Sequence, residues 1–353
     1  MRVLIAPDSF GDTLTAVAAA DAIARGWLAA RASDVVVRAP QSDGGPGFVD
    51  VLAARFGEVI DEQVSGPLGA GVTARWLLDD RDPDRASAYI ECAQACGLSL
   101  LGGVPTPRTA LAADTRGVGE LLDAALRRGV GRVVVGLGGS ASSDGGYGMI
   151  DALGGAVTAA ARFADIDVVA ATDVDNPLLG RDGAVAVFGP QKGADTDALG
   201  RLEDRMSQWA RVLAGMAGAD VSGRPGAGAA GGLGAALLAL GGRRASGAEL
   251  IAEATGRAAD VASADLVITG EGKLDQQTLS GKVVAAVTAE AVDAGIPVVV
   301  LAGQIALSPA EIASAGIVAA SSIVDEAGSV QVAMNDAGNQ LARLAERVAR
   351  DWH

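Results

Sequence analysis

The chain has 353 residues, and its composition and charge exclude several classes of protein. Half of the residues are hydrophobic, only 3% are aromatic and 49 are glycine, as is typical of layered α/β folds. A formal net charge of −15 opposes nonspecific binding to nucleic acid or anionic membranes, which require a basic face. This length predicts two domains.

The few histidines and cysteines narrow the chemistry further. His353 is the only histidine, which excludes a Ser-His-Asp or Cys-His mechanism and a histidine metal cage unless another chain supplies the residue. Cys92 and Cys96 favour buried free thiols over a redox pair. Because no stretch resembles a signal peptide or a membrane span, the sequence predicts a cytoplasmic protein.

The first sixty residues repeat one pattern. A buried strand at residues 3–6 leads into the loop 7–11, and a second strand at 34–40 leads into the loop 42–47. Each loop is followed by a helix, and this repetition predicts a doubly wound parallel sheet. Ligands of such sheets bind beyond the carboxyl ends of the strands, where both loops lie.

The middle of the chain begins differently. Residues 59–93 read as three consecutive strands, which predicts a second domain with antiparallel character. A β-branched run at 132–135 then leads into the glycine- and serine-rich loop 136–146 and a helix. Such a loop presents backbone N–H groups to a phosphate or carboxylate, although a tight turn alone would also explain its glycines.

Further polar loops follow. The strand 167–171 ends in Thr-Asp-Val-Asp-Asn-Pro, and the segment 188–194 precedes a long helix at 197–217. Gly226, Gly228 and Gly231 form a G-x-G-x-x-G pattern. Since no strand precedes it, a glycine-rich lead into a packed helix is favoured over a dinucleotide site and a dehydrogenase.

The last ninety residues return to the pattern of the first sixty. A buried strand at 266–269 ends in an acid- and lysine-bearing loop at 270–278, and a helix, a further strand at 298–301 and a terminal helix at 330–350 follow. We therefore predict one discontinuous α/β domain of residues 1–63 and 264–353. Residues 64–263 would be an inserted α/β domain, with the active site between the two.

The loops contain the groups that phosphoryl transfer requires. Acids are present for a magnesium ion and a base, and Lys192 and Lys273 stand among glycines. Neither a Walker A motif nor a protein-kinase signature is present. A lysine taken alone is more often a solvated surface residue than a catalytic one, but the placement of these two among glycines favours a function.

Seven motifs, in order along the whole chain, resemble bacterial glycerate kinases of the two-domain type. They are APDSF, SDGG, GLGGSASSDGG, TDVDNPLLG, FGPQKGA, PGAGAAGGLGAALL and TGEGKLDQQTLSGK. The resemblance implies a flavodoxin-like domain split around an inserted α/β domain. It also implies transfer of the ATP γ-phosphoryl group to D-glycerate, in most members at the 2-hydroxyl, with Mg²⁺.

The resemblance also implies roles for individual residues. Asp173 would accept the glycerate hydroxyl proton, while Lys192 and Lys273 would stabilise the transferring phosphoryl group. Glu271 and Asp275 would hold the metal. The residues implied in binding substrate or nucleotide are Asp8, Ser9, Phe10, Asp43, Gly44, Gly45, Gly138, Gly139, Ser140, Asp144, Asn176, Gln191, Gln277 and Thr278.

The chain departs from the family pattern at several loop positions. The family usually has lysine at the position of Gly11, glutamate at that of Pro46 and threonine at that of Phe48. Its Thr-Asn pair is replaced by Ser142-Ser143, and its segment between residues 153 and 167 is longer. The alternative is therefore a diverged paralogue that binds a small acid or nucleotide without turnover. Small molecules are the expected partners, with a second copy of the chain as the candidate protein partner.

Overall fold

The computed structural model describes residues 1–11, 13–82, 84–280 and 283–352. His353 and the last two residues of the TGEGKLDQQTLSGK motif therefore lie outside the described residues. No helix in these ranges is long and apolar enough to cross a membrane.

The described residues form strands and helices in regular alternation over most of the chain. The strands are β1 (Arg2–Ile5), β2 (Val35–Arg38), β3 (Glu58–Ser65), β4 (Gly71–Asp79), β5 (Ser87–Glu91), β6 (Arg132–Gly136), β7 (Asp167–Ala171), β8 (Arg243–Ala245), β9 (Leu266–Leu274), β10 (Val298–Ile305) and β11 (Ala319–Ser322).

The helices include several of only one or two turns. They are α1 (Ala16–Ala30), α2 (Phe48–Ala53), α3 (Ala93–Cys96), α4 (Pro107–Ala112), α5 (Arg116–Arg127), α6 (Tyr147–Ala152), α7 (Ala156–Phe163), α8 (Ala184–Phe188), α9 (Thr196–Ala217), α10 (Ala229–Ala239), α11 (Gly247–Thr255), α12 (Arg257–Ala262), α13 (Val283–Asp293), α14 (Pro309–Ser314), α15 (Ile323–Ala327), α16 (Val330–Asn335) and α17 (Ala337–Asp351). Short 3₁₀ helices occupy Leu98–Leu101, Pro190–Lys192 and Thr278–Ser280.

The first compact unit consists of Met1–Ser42 and Ala248–His353. Its five parallel strands lie in the order β2-β1-β9-β10-β11. Numbered within the unit this order is 2-1-3-4-5, the flavodoxin-like order, with an apolar core on each face of the sheet. The predicted flavodoxin-like, doubly wound fold is therefore confirmed.

The second unit is Asp43–Gly247, and its six strands lie in the order β3-β4-β5-β6-β7-β8. The pairs β3–β4 and β4–β5 are antiparallel, while every pair from β5 to β8 is parallel. The mixed α/β character predicted for this part of the chain is thus present. The parallel strands place the loops after β5, β6 and β7 at one edge of the sheet.

The unit boundaries differ from those predicted at residues 63 and 263. Residues 43–63 belong to the second unit, because α2 packs on β4 and β5 and β3 pairs with β4 along its whole length. Residues 248–263 belong to the first unit. There the buried Arg257 donates to Gln41 Oε1 (2.9 Å) and forms an ion pair with Glu290. Tertiary pairing, which no local pattern records, sets both boundaries.

Two predicted elements also differ. The sequence places a loop from Gly270, but β9 continues to Leu274 because Lys273 and Leu274 stay paired with Gln304 and Ile305 of β10. The predicted terminal helix at 330–350 is divided into α16 and α17, since Asp336 has non-helical backbone angles.

Candidate active site

In the first unit, the loop after β1 lies against the end of β9. The Asp8 N–H donates to the Gly270 carbonyl (2.8 Å), and a Cβ on Gly272 would lie 3.2 Å from the Phe10 carbonyl carbon. A Cβ on Gly303 would meet the Gly272 carbonyl oxygen at 2.3 Å. Glycine therefore allows three strand ends to approach closely and brings two of the predicted binding loops together.

The side chains at the end of β9 form a connected polar group. Thr278 donates through its hydroxyl to Glu271, and the Asp275 N–H donates to Thr278 Oγ1 (3.0 Å). Lys273 Nζ lies 3.3 Å from Asp275 Oδ2. Slight burial opposes ionisation of Asp275, but hydrogen bonds from the Gln277 N–H and Lys273 lower the pKa of its carboxyl. This strand end thus carries an Asp275 carboxyl with a lowered pKa, paired with Lys273.

The pair Glu271 and Asp275 fits the donor set that Mg²⁺ uses beside a nucleotide. Within the described ranges no group of three or more His, Cys, Asp or Glu side chains could hold a metal ion. Mg²⁺ is commonly held by one or two carboxylates, water and substrate phosphates, so the carboxylates of Glu271 and Asp275 are enough for such a site.

Two of the predicted binding residues in the loop after β1 make their contacts within their own unit. The Ser9 N–H donates to Asp8 Oδ1 (2.6 Å), and the ring of Phe10 is buried in the unit's core. Phe10 can therefore reach a ligand only through its backbone. Gln277, by contrast, is exposed.

In the second unit the loop that contains Asp43, Gly44 and Gly45 packs directly on the glycines after β6. A Cβ on Gly138 would lie 2.3 Å from the Gly45 Cα, and one on Gly136 would lie 2.6 Å from the Gly44 carbonyl oxygen. These contacts bring two predicted binding loops together. They also show that the glycines allow close packing, whatever ligand the loops bind. The Asp43 carboxylate accepts from the Gly45 N–H (3.0 Å) and is otherwise exposed.

Asp144 is partly buried, and its carboxylate accepts four hydrogen bonds from protein donors. It accepts from the N–H and hydroxyl of Thr115 (3.0 and 2.8 Å) and from the N–H groups of Gly146 (3.1 Å) and Gly148 (2.9 Å). Burial raises the pKa of Asp144, against the effect of these hydrogen bonds. These four hydrogen bonds give Asp144 a structural role in the loop, and its contact with substrate or nucleotide stays a prediction.

Lys192 is also buried, with 3% of its surface exposed. Its ammonium donates to Ser140 Oγ (2.9 Å) and to the Ser142 carbonyl (2.6 Å), and burial lowers its pKa to about 8. Lys192 therefore holds the 136–146 loop by two hydrogen bonds, and its neighbour Gln191 is exposed.

The third glycine-rich segment packs on the same loop. Ala230, Gly231 and Gly232 have left-handed backbone angles within α10. A Cβ on Gly231 would lie 1.9 Å from the Ser142 carbonyl oxygen. The segment is therefore a close-packed lead into a helix, as the sequence favours, and no strand precedes it.

The predicted base stands at the end of β7. Asp173 is exposed two residues beyond Ala171. The Asn176 side chain donates to the Asp182 carbonyl (2.8 Å), and its own carbonyl accepts from the Gly228 N–H. Asn176 thus shapes the turn after β7, and Asp173 remains at the surface of that turn.

Glu91 is an acid at this edge that the sequence analysis missed. It ends β5, is 3% exposed, and accepts from the N–H groups of Gly47 (3.0 Å) and Val49 (3.5 Å). Burial raises its pKa to about 7. The sequence carries a signal for this residue, because Glu91 is an acid at the end of a predicted strand.

Together these features define a class: a two-unit α/β protein whose strand ends carry acids, lysines and packed glycine loops. A profile described as the glycerate kinase family matches residues 3–162 and 157–353. The chain therefore belongs to the glycerate kinase family.

Individual relatives agree. The glycerate kinase of Bacillus subtilis is 41% identical over 99% of this chain and 96% of its own length. The glycerate 2-kinase of Escherichia coli is 36% identical over 99% and 97%. An uncharacterised protein of Mycobacterium bovis is 57% identical over 99% and 91%. A crystal structure from Salmonella typhimurium LT2, assigned as glycerate kinase 2, has a TM-score of 0.79, 35% identity and coverage of 99% and 98%.

Proposed function

We propose that the protein is an ATP-dependent glycerate kinase that transfers the γ-phosphoryl group of ATP to the 2-hydroxyl of D-glycerate. The similarity to the Bacillus subtilis and Escherichia coli kinases over nearly their whole lengths carries this proposal. The charged strand ends support it, because phosphoryl transfer is catalysed mainly by positioning and electrostatic stabilisation.

In the proposed reaction the glycerate hydroxyl oxygen attacks the γ-phosphorus, the bond to ADP breaks and the hydroxyl proton passes to Asp173. This carboxylate suits the role because it is exposed at a strand end of a parallel sheet. ADP leaves as the second product.

Lys273 is the proposed cation for the transferring phosphoryl group, since its side chain is 57% exposed beside Asp275. Mg²⁺ held by Glu271 and Asp275 would neutralise phosphate charge. Lys192 is proposed to position the 136–146 loop and not to contact phosphate, because its ammonium donates to Ser140 and Ser142. It is therefore a positioning residue.

Backbone N–H groups are the proposed anion contacts of the loops. Asp43, Gly44 and Gly45 belong to one loop, and Gly138 and Gly139 belong to the loop packed on it. Asp8, Ser9, Gln277 and Thr278 are the proposed polar contacts of the other unit. A cytoplasmic location and a homodimer stay predictions.

The departures at Gly11 and Pro46 are the reason for testing turnover directly. Gly11 has a φ of +57°, and no described residue beyond its chain neighbours has an atom within 4 Å of an added Cβ, so space is open where the family has lysine. Pro46 is exposed. The similarity to catalytic relatives over the whole chain supports a kinase over a non-catalytic paralogue.

The test is a coupled ADP-release assay of the purified chain with Mg²⁺, ATP and either D-glycerate, L-glycerate or glycolate. We expect D-glycerate to give the highest kcat/KM and phosphorus NMR of the product to show 2-phosphoglycerate. ADP release that does not depend on any added acid would count as background hydrolysis. Binding of acid or nucleotide without turnover of any acid would support the paralogue instead.

A further inference from the structure

An apolar cleft of about 460 Å³ lies within the second unit, beside the 136–146 loop. Residues of α9 form one wall, and the end of α4 and the start of α6 form the other. Its volume and mostly apolar lining with a few polar groups are typical of a small-molecule site. None of the residue roles proposed above accounts for this cleft.

An aromatic pair forms part of the wall. The rings of Tyr147 and Trp209 meet edge to face, with centroids 5.1 Å apart and planes at 74°. Trp209 is held in place because its Nε1 donates to the Gly145 carbonyl (2.9 Å). Tyr147 remains 55% exposed, so a large aromatic surface on a fixed support faces the cleft.

The cleft also contains an unsatisfied polar group. Ser143 is 3% exposed, and its hydroxyl has no hydrogen-bond partner among the residues that the structure describes. Buried hydroxyls nearly always have a partner, so this one is available to form a hydrogen bond with a ligand atom in the cleft. Ser143 differs in this respect from its neighbour Asp144, whose carboxylate accepts four hydrogen bonds from protein groups.

Two polar side chains lie at the rim of the cleft. Gln208 is exposed and offers an amide donor and acceptor on one plane. Arg205 donates to the Leu111 carbonyl (3.0 Å), which fixes its position. The cleft thus offers the ring of Tyr147, the amide donor and acceptor of Gln208 and the buried hydroxyl of Ser143. These groups suit a planar heterocycle with ring nitrogens better than an aliphatic chain.

We propose that this cleft binds the adenine base of the nucleotide, with the base against Tyr147 and its polar edge toward Gln208. The assignment rests on the proposed kinase function, which requires ATP. It is supported by the chain itself, because Ser143 belongs to the glycine loop whose backbone N–H groups suit phosphate. One continuous loop would thus contact both ends of the nucleotide.

The test is calorimetric titration of the intact protein with ADP, GDP and inorganic tripolyphosphate, which has no base. Tyr147→Ala should weaken ADP binding roughly 10-fold and leave tripolyphosphate binding unchanged, because stacking on an aromatic ring contributes that much per base. Tyr147→Phe should bind ADP like the unmodified protein, and Ser143→Ala should bind it several-fold more weakly. Val157→Ala, at an 86% exposed valine of α7 outside the cleft, is the matched control.

Three results would overturn the assignment: no ADP binding by the unmodified protein, ADP binding by Tyr147→Ala within twofold of it, or equal losses for ADP and tripolyphosphate. The proposed function is tested separately by turnover. If glycerate is phosphorylated and ADP binding does not depend on Tyr147, only the proposed adenine site is disproved. If ADP binding depends on Tyr147 but no acid is phosphorylated, only the proposed glycerate kinase activity is disproved.

Discussion

The glycine loop after β6 in the second unit contains or contacts the charges of Asp144 and Lys192, and the end of β9 in the first unit carries those of Lys273 and Asp275. The two pairs of charges have different surroundings. Lys192 is buried and Asp144 is partly buried, and both are hydrogen-bonded to protein groups. Lys273 is largely exposed, and Asp275 keeps a lowered pKa beside it. Similar residue types in similar loops therefore have different surroundings.

The difference indicates how to separate structural from catalytic charges. A buried charge must have its bonding capacity filled by protein groups, because desolvation is costly, so it stabilises the loops. An exposed charge at a strand end keeps its capacity for substrate, phosphate or metal. Burial and the count of donors, more than position in a motif, decide the role.

The largest expected effect tests the structural side of this comparison. Asp144→Ala removes the acceptor of four donors from Thr115, Gly146 and Gly148. We expect unfolding to become easier by about 3–5 kcal/mol, because buried donors lose their partner. The unfolding transition in urea measures this loss. Asp151→Ala, at an exposed ion pair with Arg116, is the control and should cost under about 1 kcal/mol. Equal effects of the two variants would contradict the assigned structural role.

The catalytic side is tested at Asp173. Asp173→Asn keeps size but removes the basic lone pair, so kcat should fall by roughly 10²-fold or more with little change in ADP affinity. Steady-state kinetics and calorimetry measure the two quantities. Asp204→Asn, at an exposed aspartate of α9, should leave kcat unchanged. If Asp173→Asn turns over at nearly the normal rate, the base must be another acid, and Asp175 is the next to test.

Glu91 extends the comparison to pH. Its folded pKa of about 7 exceeds the ordinary 4.5, so the protonated carboxyl favours folding below pH 4.5 and this stabilisation is lost as the pH rises through 7. Glu91→Gln lacks this titration. Its stability relative to the unmodified protein should therefore rise by about 2 kcal/mol between pH 5.5 and 8.5. Urea unfolding across this range measures the change. Glu58→Gln, at an exposed carboxylate, should show no such trend, and a flat difference for Glu91→Gln would disprove the raised pKa.

The smallest expected effect is at the exposed lysine. Lys273→Met should lower kcat/KM roughly 10-fold without changing the urea midpoint, because its ammonium stabilises phosphoryl charge and little of the fold. Kinetics at several ionic strengths and unfolding measure the two effects. Arg181→Met, at a 92% exposed arginine, should change neither. A large loss of stability in Lys273→Met would contradict the distinction between exposed and buried charges.

Much of the fold was predictable because local patterns record it. Apolar runs located the buried strands β1, β6, β9 and β10, and their alternation with helices predicted the parallel sheets. The motifs indicated the glycerate kinase family, which the comparisons confirm. The strand that continues to Leu274 could not be read locally, since its last residues pair with Gln304 and Ile305 about thirty positions away.

By itself the sequence determined the fold class, the family and which loops lie at the strand ends, because periodicity, glycine placement and motif order are local properties of the chain. Only the tertiary structure decided where the units divide, since strand pairing and packing join distant segments. It also decided which charged side chains form their hydrogen bonds with protein groups. The same Asp or Lys in a glycine loop can be buried or exposed, and this depends on what packs against it in three dimensions.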